Sequence, residues 1–230
     1  TAAAAALSTT PPPLQSHLTL AKSLWRAAIA PGDAVVDATC GHGHDTLALA
    51  ELTDRVLAMD VDPRAVAAAR ARLEGRSCTF VEQSHQDKPP DLPEHVKVVV
   101  FNLGYLPGAD DASVTDVHST LTALRSWALP CLASGGFASI CVYPGHPEGA
   151  VEDEALRAFA KALSPTFWRA TSHRALNHDR TAPYLLTIQR LPKARRKAQM
   201  TPFQIELIVN DNLAAAAHAA AAAVGREGPR

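Results

Sequence analysis

No run of about 18 consecutive apolar residues occurs in the chain, so no membrane span is indicated. An excess of charge is missing as well. The formal net charge is −1, which gives no global push toward nucleic acid, so any RNA contact needs a local basic patch. Cysteine is sparse: Cys40, Cys78, Cys131 and Cys141 sit singly in or beside apolar stretches, and no CxxC pair exists. That pattern points to buried free thiols in a reducing compartment and away from zinc, any other metal, or a disulfide framework.

The 230 residues, 47% hydrophobic and 20% charged, have the balance of one globular domain. Residues 1–13, TAAAAALSTTPPP, contain no acidic residue, and the chain does not begin with Met. This low-complexity stretch reads as an unstructured remnant of an organellar leader, which places the protein in a chloroplast or mitochondrion. The cytoplasm is the alternative. Residues 14–191 form the folded domain. Residues 192–230 read as a basic, Ala-rich extension, because AAAAHAAAAAVG is helix-prone yet carries no apolar stripe broader than Ala.

Within the domain, strand and helix patterns alternate. AVVDATC, RVLAMDVD, CTFVEQ, VKVVVFN and FASICVYP read as strands. DTLALAELT, DPRAVAAARARLEG, a long helix within residues 113–136 and EGAVEDEALRAFAKALS read as helices. Asp62 as cap, Pro63 at the first position and Gly75 as stop delimit the second helix. Two further strands, TFWRAT and APYLLTIQRL, have no helix between them. The expected architecture is therefore α/β: a doubly wound seven-stranded sheet whose last strand pair is partly antiparallel. This is the Rossmann-like arrangement common among class I methyltransferases. Trp25, Trp127 and Trp168 lie in apolar segments and read as core.

The first strand delivers DATCGHGHDT. Gly41 and Gly43 supply the tight turn and close backbone approach that a nucleoside cofactor needs. A dinucleotide fingerprint would place a third Gly where Thr46 stands, which weakens the NAD reading. Asp37 at the strand end suits a cofactor with an ammonium group and is a poor neighbour for a pyrophosphate. S-adenosylmethionine has that ammonium and no phosphate. Asp60 ends the second strand, 17 residues beyond Gly43, where a carboxylate can take both ribose hydroxyls. Thr39, Cys40, His42, Asp45 and Thr46 in the loop, and Val61 after Asp60, complete the expected contacts. Gln83 or Ser84 can accept from an adenine amino group, and His85 stands beside them in either a supporting or a binding role.

The fourth strand ends in NLGY. The Asn102 amide oxygen and the Leu103 carbonyl can accept from an N–H group and hold its lone pair in line with a methyl sulfonium. Tyr105, followed by Pro107, can stack on a base splayed from its strand. Asn102 thus serves both cofactor and target. His146, in YPGHPEG, is placed either as a base or positioning group or as a stabiliser of its loop. HRALNHDR puts Arg174, Asn177 and Arg180 in the loop between the last two strands, where they can meet RNA. RLPKARRK carries five basic residues in eight positions.

Taken together, VVDATCGHGHDTLALA, FNLGYLPG, YPGHPEG and RTAPYLLTIQR resemble the MnmM family across about residues 16–191. The resemblance implies S-adenosylmethionine-dependent N-methylation of 5-aminomethyl-(2-thio)uridine at the tRNA wobble position, yielding S-adenosylhomocysteine. It implies the tRNA anticodon stem-loop as partner, with a homodimer left open and no membrane. His42 and Gln83 depart from the family pattern, and both can still hydrogen-bond a cofactor. The alternatives are methylation of rRNA or of a small amine, an NAD-dependent oxidoreductase, and a non-catalytic RNA-binding protein.

Overall fold

The AVVD segment forms β1 (Ala34–Asp37), and all four of its residues are buried. That is the signature of a parallel strand covered on both faces. In a computed structural model that describes residues 16–103, 117–192 and 202–225, β1 lies at the middle of one seven-stranded sheet. The other strands are β2 (Arg55–Asp60), β3 (Thr79–Glu82), β4 (Val96–Asn102), β5 (Leu132–Val142), β6 (Trp168–His173) and β7 (Tyr184–Arg190), in the order 3-2-1-4-5-7-6. Strands β1 to β5 run parallel, and β7 runs antiparallel to both β5 and β6. The doubly wound sheet expected from the pattern is present. Its reversed strand has a simple cause: parallel neighbours need a long crossover, and the 174–183 connection contains no helix to supply one.

Strand side chains alternate between two helix-covered faces. Val99 and Phe101 join a core with Trp127, Ile140, Leu156 and Phe159. Val98 and Val100 pack on the other side with Trp25, Val35 and Leu185. All three tryptophans are core residues, at most 2% exposed. The helices are α1 (His17–Ala28), α2 (His44–Ala50), α3 (Pro63–Arg72), α4 (Val117–Ala123, continued by a π-helical turn, Leu124–Ala128), α5 (Pro147–Ala162) and α6 (Pro202–Val224). The Asp62 cap accepts from the Arg64 amide at 2.8 Å, with Pro63 in the first turn.

Two elements differ from the sequence reading. Helix α1 precedes the strand–helix alternation and was absent from it. Ser16 caps it by accepting from the Thr19 amide at 3.2 Å, and Trp25 Nε1 donates to buried Ser139 on β5 at 3.0 Å. The extension after Leu191 also needs correcting. Helix α6 lies along α5, with Leu213, Ala216 and Ala220 at 1%, 0% and 0% exposure inside the main core. Asn212 adds a polar tie, its Oδ1 accepting from the Ser164 amide just beyond α5 at 3.0 Å. An Ala seam is faint as an apolar stripe, yet small side chains let two helix axes approach closely. Leu213→Ala should therefore lower the unfolding free energy by about 2–5 kcal/mol in urea titration, the cost of a core cavity. A loosely attached tail would give a change within about 0.5 kcal/mol.

Candidate active site

The sheet register brings four chain ends to one edge. Asp37 stands opposite Val100, Asn102 opposite Cys141, Val142 opposite Tyr184, and His173 opposite Leu185. At this carboxyl edge a cavity of about 430 Å³ is lined by Thr39, Cys40, Gly41, His42, His44, Asp45, Asp60, Asn102, Tyr143 and His146. A larger cavity of about 600 Å³ lies between the end of α5 and β6, and among the described residues Arg169 is its only ionisable lining residue. The smaller cavity gathers the ionisable and polar side chains.

The loop from β1 into α2 is held open by its glycines. Gly41 and Gly43 have φ of 47° and 81°, where a side chain is strained. A Cβ on Gly43 would also come within 2.9 Å of the Ala69 Cα on α3, so this position sets how closely the loop and α3 pack. Asp60 ties the loop to β2: Oδ2 accepts from the Gly41 amide at 2.9 Å and Oδ1 from the Asp62 amide at 3.0 Å. Each oxygen keeps a further lone pair toward the cavity. Val61, next in sequence, is 66% exposed beside it.

Asn102 is the centre of a polar chain. Its backbone amide donates to Thr39 Oγ1 at 2.7 Å, and its side-chain Nδ2 donates to Asp45 Oδ2 at 3.0 Å. Tyr143 OH donates to Asn102 Oδ1 at 2.8 Å. Two residues of α1 close the ends: Lys22 Nζ pairs with Asp45 Oδ1 at 3.0 Å, and His17 Nε2 lies 3.2 Å from Tyr143 OH. Because that hydroxyl gives its proton to Asn102, His17 must donate to it from Nε2. Burial pushes the Tyr143 phenol upward and His17 downward, so both are neutral partners in the chain. Lys22, His17, His44 and Tyr143 were not among the expected site residues. The only sequence signals for the α1 pair were the SxxT cap and the apolar spacing from Leu18 to Trp25.

The other expected residues divide by place. Asp37 is fully buried beneath the loop and does not line the cavity. It accepts from Thr46 Oγ1 at 2.6 Å and from the Thr39 amide at 3.2 Å. Burial, with the nearby Asp45 charge, raises its pKa to about 7 against the opposing Thr46 hydrogen bond. Gln83 Nε2 donates to the Asp87 carbonyl at 3.0 Å, and Ser84 Oγ accepts from the Gln86 amide at 3.2 Å, so both shape the turn after β3. His85 lies 3.0 Å from Ser119 Oγ and edge-on to Phe101, with burial lowering its pKa. Leu103 extends the β4–β5 ladder by donating to the Cys141 carbonyl at 3.2 Å.

His146 both lines the cavity and caps α5, its Nδ1 accepting from the Gly149 amide at 3.1 Å. Arg174 is an internal clamp: it donates to Asp153 Oδ1 at 2.6 Å and to the Arg180 carbonyl at 3.0 Å, and stacks 3.6 Å above the Tyr184 ring. Asn177 and Arg180 are exposed on the same loop. That loop reaches the cavity rim, since a Cβ on Gly145 would meet the Thr181 carbonyl at 3.4 Å. Tyr105, Pro107 and most of the RLPKARRK run lie outside the described residues.

The family model "Putative rRNA methylase" matches residues 56–189. A chloroplastic tRNA (mnm(5)s(2)U34)-methyltransferase of Arabidopsis thaliana is 34% identical over 184 residues, covering 73% of this chain and 66% of the relative. The match thus spans just under two thirds of that protein's length. A "putative rRNA-methylase" structure from Clostridium thermocellum has a TM-score of 0.72 at 32% identity, covering 77% of this chain and 99% of that one. A "putative methyltransferase" from Streptococcus mutans, solved in complex with SAH, gives 0.71 at 29% identity with coverage of 77% and 99%.

Asp37 makes the site's pH dependence testable. Its folded pKa of about 7 lies above the ordinary 3.8, so between those values the unfolded chain releases a proton that the folded chain keeps. Stability should fall as pH rises through that window and level off above it. Urea midpoints of the wild type minus those of Asp37→Asn should show this decline, and a flat difference would remove Asp37 as its source.

Proposed function

The chain belongs to the rRNA methylase family, and from that premise we propose that it is an S-adenosylmethionine-dependent N-methyltransferase acting on the aminomethyl group of a tRNA wobble uridine. The observation that carries this reading is the Asn102 side chain, held at the end of β4 between Asp45 and Tyr143 and facing a cavity walled by carboxylates. The chloroplastic relative's name supports the tRNA target and an organellar location, with a plastid the finer assignment. The SAH complex of the Streptococcus mutans neighbour supports the cofactor.

The donor set fits that cofactor. Asp45 and Asp60 line the cavity, with Asp37 below it. This favours a cationic ligand with ribose hydroxyls and disfavours a pyrophosphate. Asp60 would accept the hydroxyls through its remaining lone pairs, with Val61 alongside for apolar contact. Lys22 and Asp45, adjacent and opposite in charge, would hold the amino-acid end. When bound, the cofactor supplies an electrophilic methyl on a sulfonium.

The residues around Asn102 then position the nucleophile. Tyr143 occupies one lone pair of Asn102 Oδ1, and the other can accept an amine N–H, which directs the nitrogen's own lone pair at the methyl. Only the neutral amine can attack, and it becomes a secondary ammonium that releases its proton afterwards. His146 reads as the stabiliser of the α5 start and as cavity wall, because its Nδ1 is committed to the cap. The rRNA alternative uses the same site with another target.

The test incubates the protein with labelled cofactor and either hypomodified tRNA or unmodified rRNA, then identifies the nucleosides after digestion. Conversion of 5-aminomethyl-2-thiouridine to its methylamino form is expected, and label in rRNA alone would overturn the tRNA reading. Asn102→Ala should lower kcat by roughly 100-fold or more while the cofactor still binds. Tyr143→Phe, which frees the amide to rotate, should lower kcat by about tenfold, equal to the loss of one neutral hydrogen bond of about 1.4 kcal/mol.

A further inference from the structure

We propose that the flank formed by α5 and β6 is a track for the RNA sugar–phosphate backbone, leading away from the active-site cavity; this rests on the tRNA reading above. A groove of about 430 Å³ there is lined by Arg157, Lys161, Arg174 and Arg180, over a low floor that includes Ala160 and Ala170. Arg157 and Lys161 follow Asp153 at one-turn intervals, so all three share a face of α5. Arg174 and Arg180 come from the loop after β6, the same loop that touches the cavity rim at Gly145.

Asp153 is the carboxylate ion-paired with these cations, and Glu154 and Asp179 stand nearby in the chain without a bond to them. Asp153 accepts from Arg174 at 2.6 Å and from the Tyr184 hydroxyl at 2.8 Å, with Arg157 at 3.4 Å. Its charge is taken up in setting Arg174 over the Tyr184 ring. Among the described residues, neither Lys161 nor Arg180 has an acidic partner, and both are exposed. The described lining of the groove thus presents four cations and no carboxylate, although the chain's net charge is −1. Arg174 is pre-organised by its stacking and its bond to Asp153, which suits oxyanion binding in a fixed geometry.

The number of cations and their place relative to the cavity select the ligand. Arg174 follows β6, two strands from β5 and the Tyr143 side of the cavity, a separation of about 10 Å at ordinary strand spacing. Lys161 lies 14 residues beyond Pro147, about 21 Å down α5. Arg157 and Lys161, about 6 Å apart along α5, with Arg174 and Arg180 on the facing loop, offer cations to more than one phosphate. The groove presents charge and small side chains but few base-reading groups, so it contributes affinity and register while the cavity reads the nucleotide.

Charge reversal tests the track: Lys161→Glu leaves the Arg174 clamp intact, whereas Arg157→Glu also removes the 3.4 Å pair to Asp153. Arg157→Glu and Lys161→Glu should each weaken binding of unmodified tRNA about tenfold or more at low salt, and each should reduce the slope of log Kd against log salt by about 1. The loss should fall on KM for tRNA rather than on kcat, with cofactor affinity and melting temperature retained. Arg76→Glu, a reversal beyond α3, serves as the control and should leave tRNA affinity within about twofold. Unchanged tRNA affinity and slope in both α5 variants would overturn the proposal. An equal loss in Arg76→Glu would overturn it too, by showing a diffuse charge effect. Because binding is measured apart from methylation, tRNA that binds through the track but is never methylated would sink the wobble reading and leave the track standing.

Discussion

Asn102 hangs from the end of a buried strand, and its one amide must satisfy two elements at once. It donates to Asp45 on the helix after β1 and accepts from Tyr143 beyond β5. An amide is a neutral group that can do both. A carboxylate there would repel Asp45. An aliphatic side chain would leave the tyrosine hydroxyl and the carboxylate short of partners, at about 1–3 kcal/mol for each unsatisfied group. Through Lys22 and His17 the same chain of bonds fastens α1 to the sheet edge, so the position of the first helix and the shape of the cavity are one constraint.

The electrostatics of the molecule separate into two regions. At the carboxyl edge, Asp37, Asp45 and Asp60 cluster around or under the cavity, and Lys22 neutralises only one of them. The field there favours a cationic ligand and, with the loop unable to solvate Asp37, holds that carboxyl partly protonated. Around the end of the sheet, the groove between α5 and the β6–β7 loop is lined by Arg157, Lys161, Arg174 and Arg180. On the proposed reading, a sulfonium cofactor and a polyanionic substrate would meet adjacent but distinct surfaces.

The doubly wound sheet was legible because its signals are local. Buried strands read as apolar runs, Asp62-Pro63 and Gly75 bracket a helix, and the absence of a helix between the last two strands forces one of them to reverse. The loop glycines and Asp60 were legible for the same reason: φ angles of 47° and 81° leave a mark on residue choice. Less was visible where the decisive contact is remote or the side chains are small. The Ala seam of α6 looks like an unattached helix until α5 is placed beside it. Arg174 looks like a free surface cation until Asp153 and Tyr184 close around it.

The sequence by itself determined the strand order's raw material, the glycine loop, and the polar residues that end β1, β2 and β4, since each depends on neighbours within a few positions. Only the tertiary structure decided that Asp37 sits beneath the cavity while Asp45 lines it, and that Tyr143, His17 and Lys22 complete the Asn102 chain. It also decided that four cations from α5 and a distant loop share one groove. These facts rest on contacts between residues 21 to 126 positions apart, or on which side of a turn a carboxylate points. No local pattern encodes either one. They follow from the register of a parallel sheet, which the packing of both faces imposes.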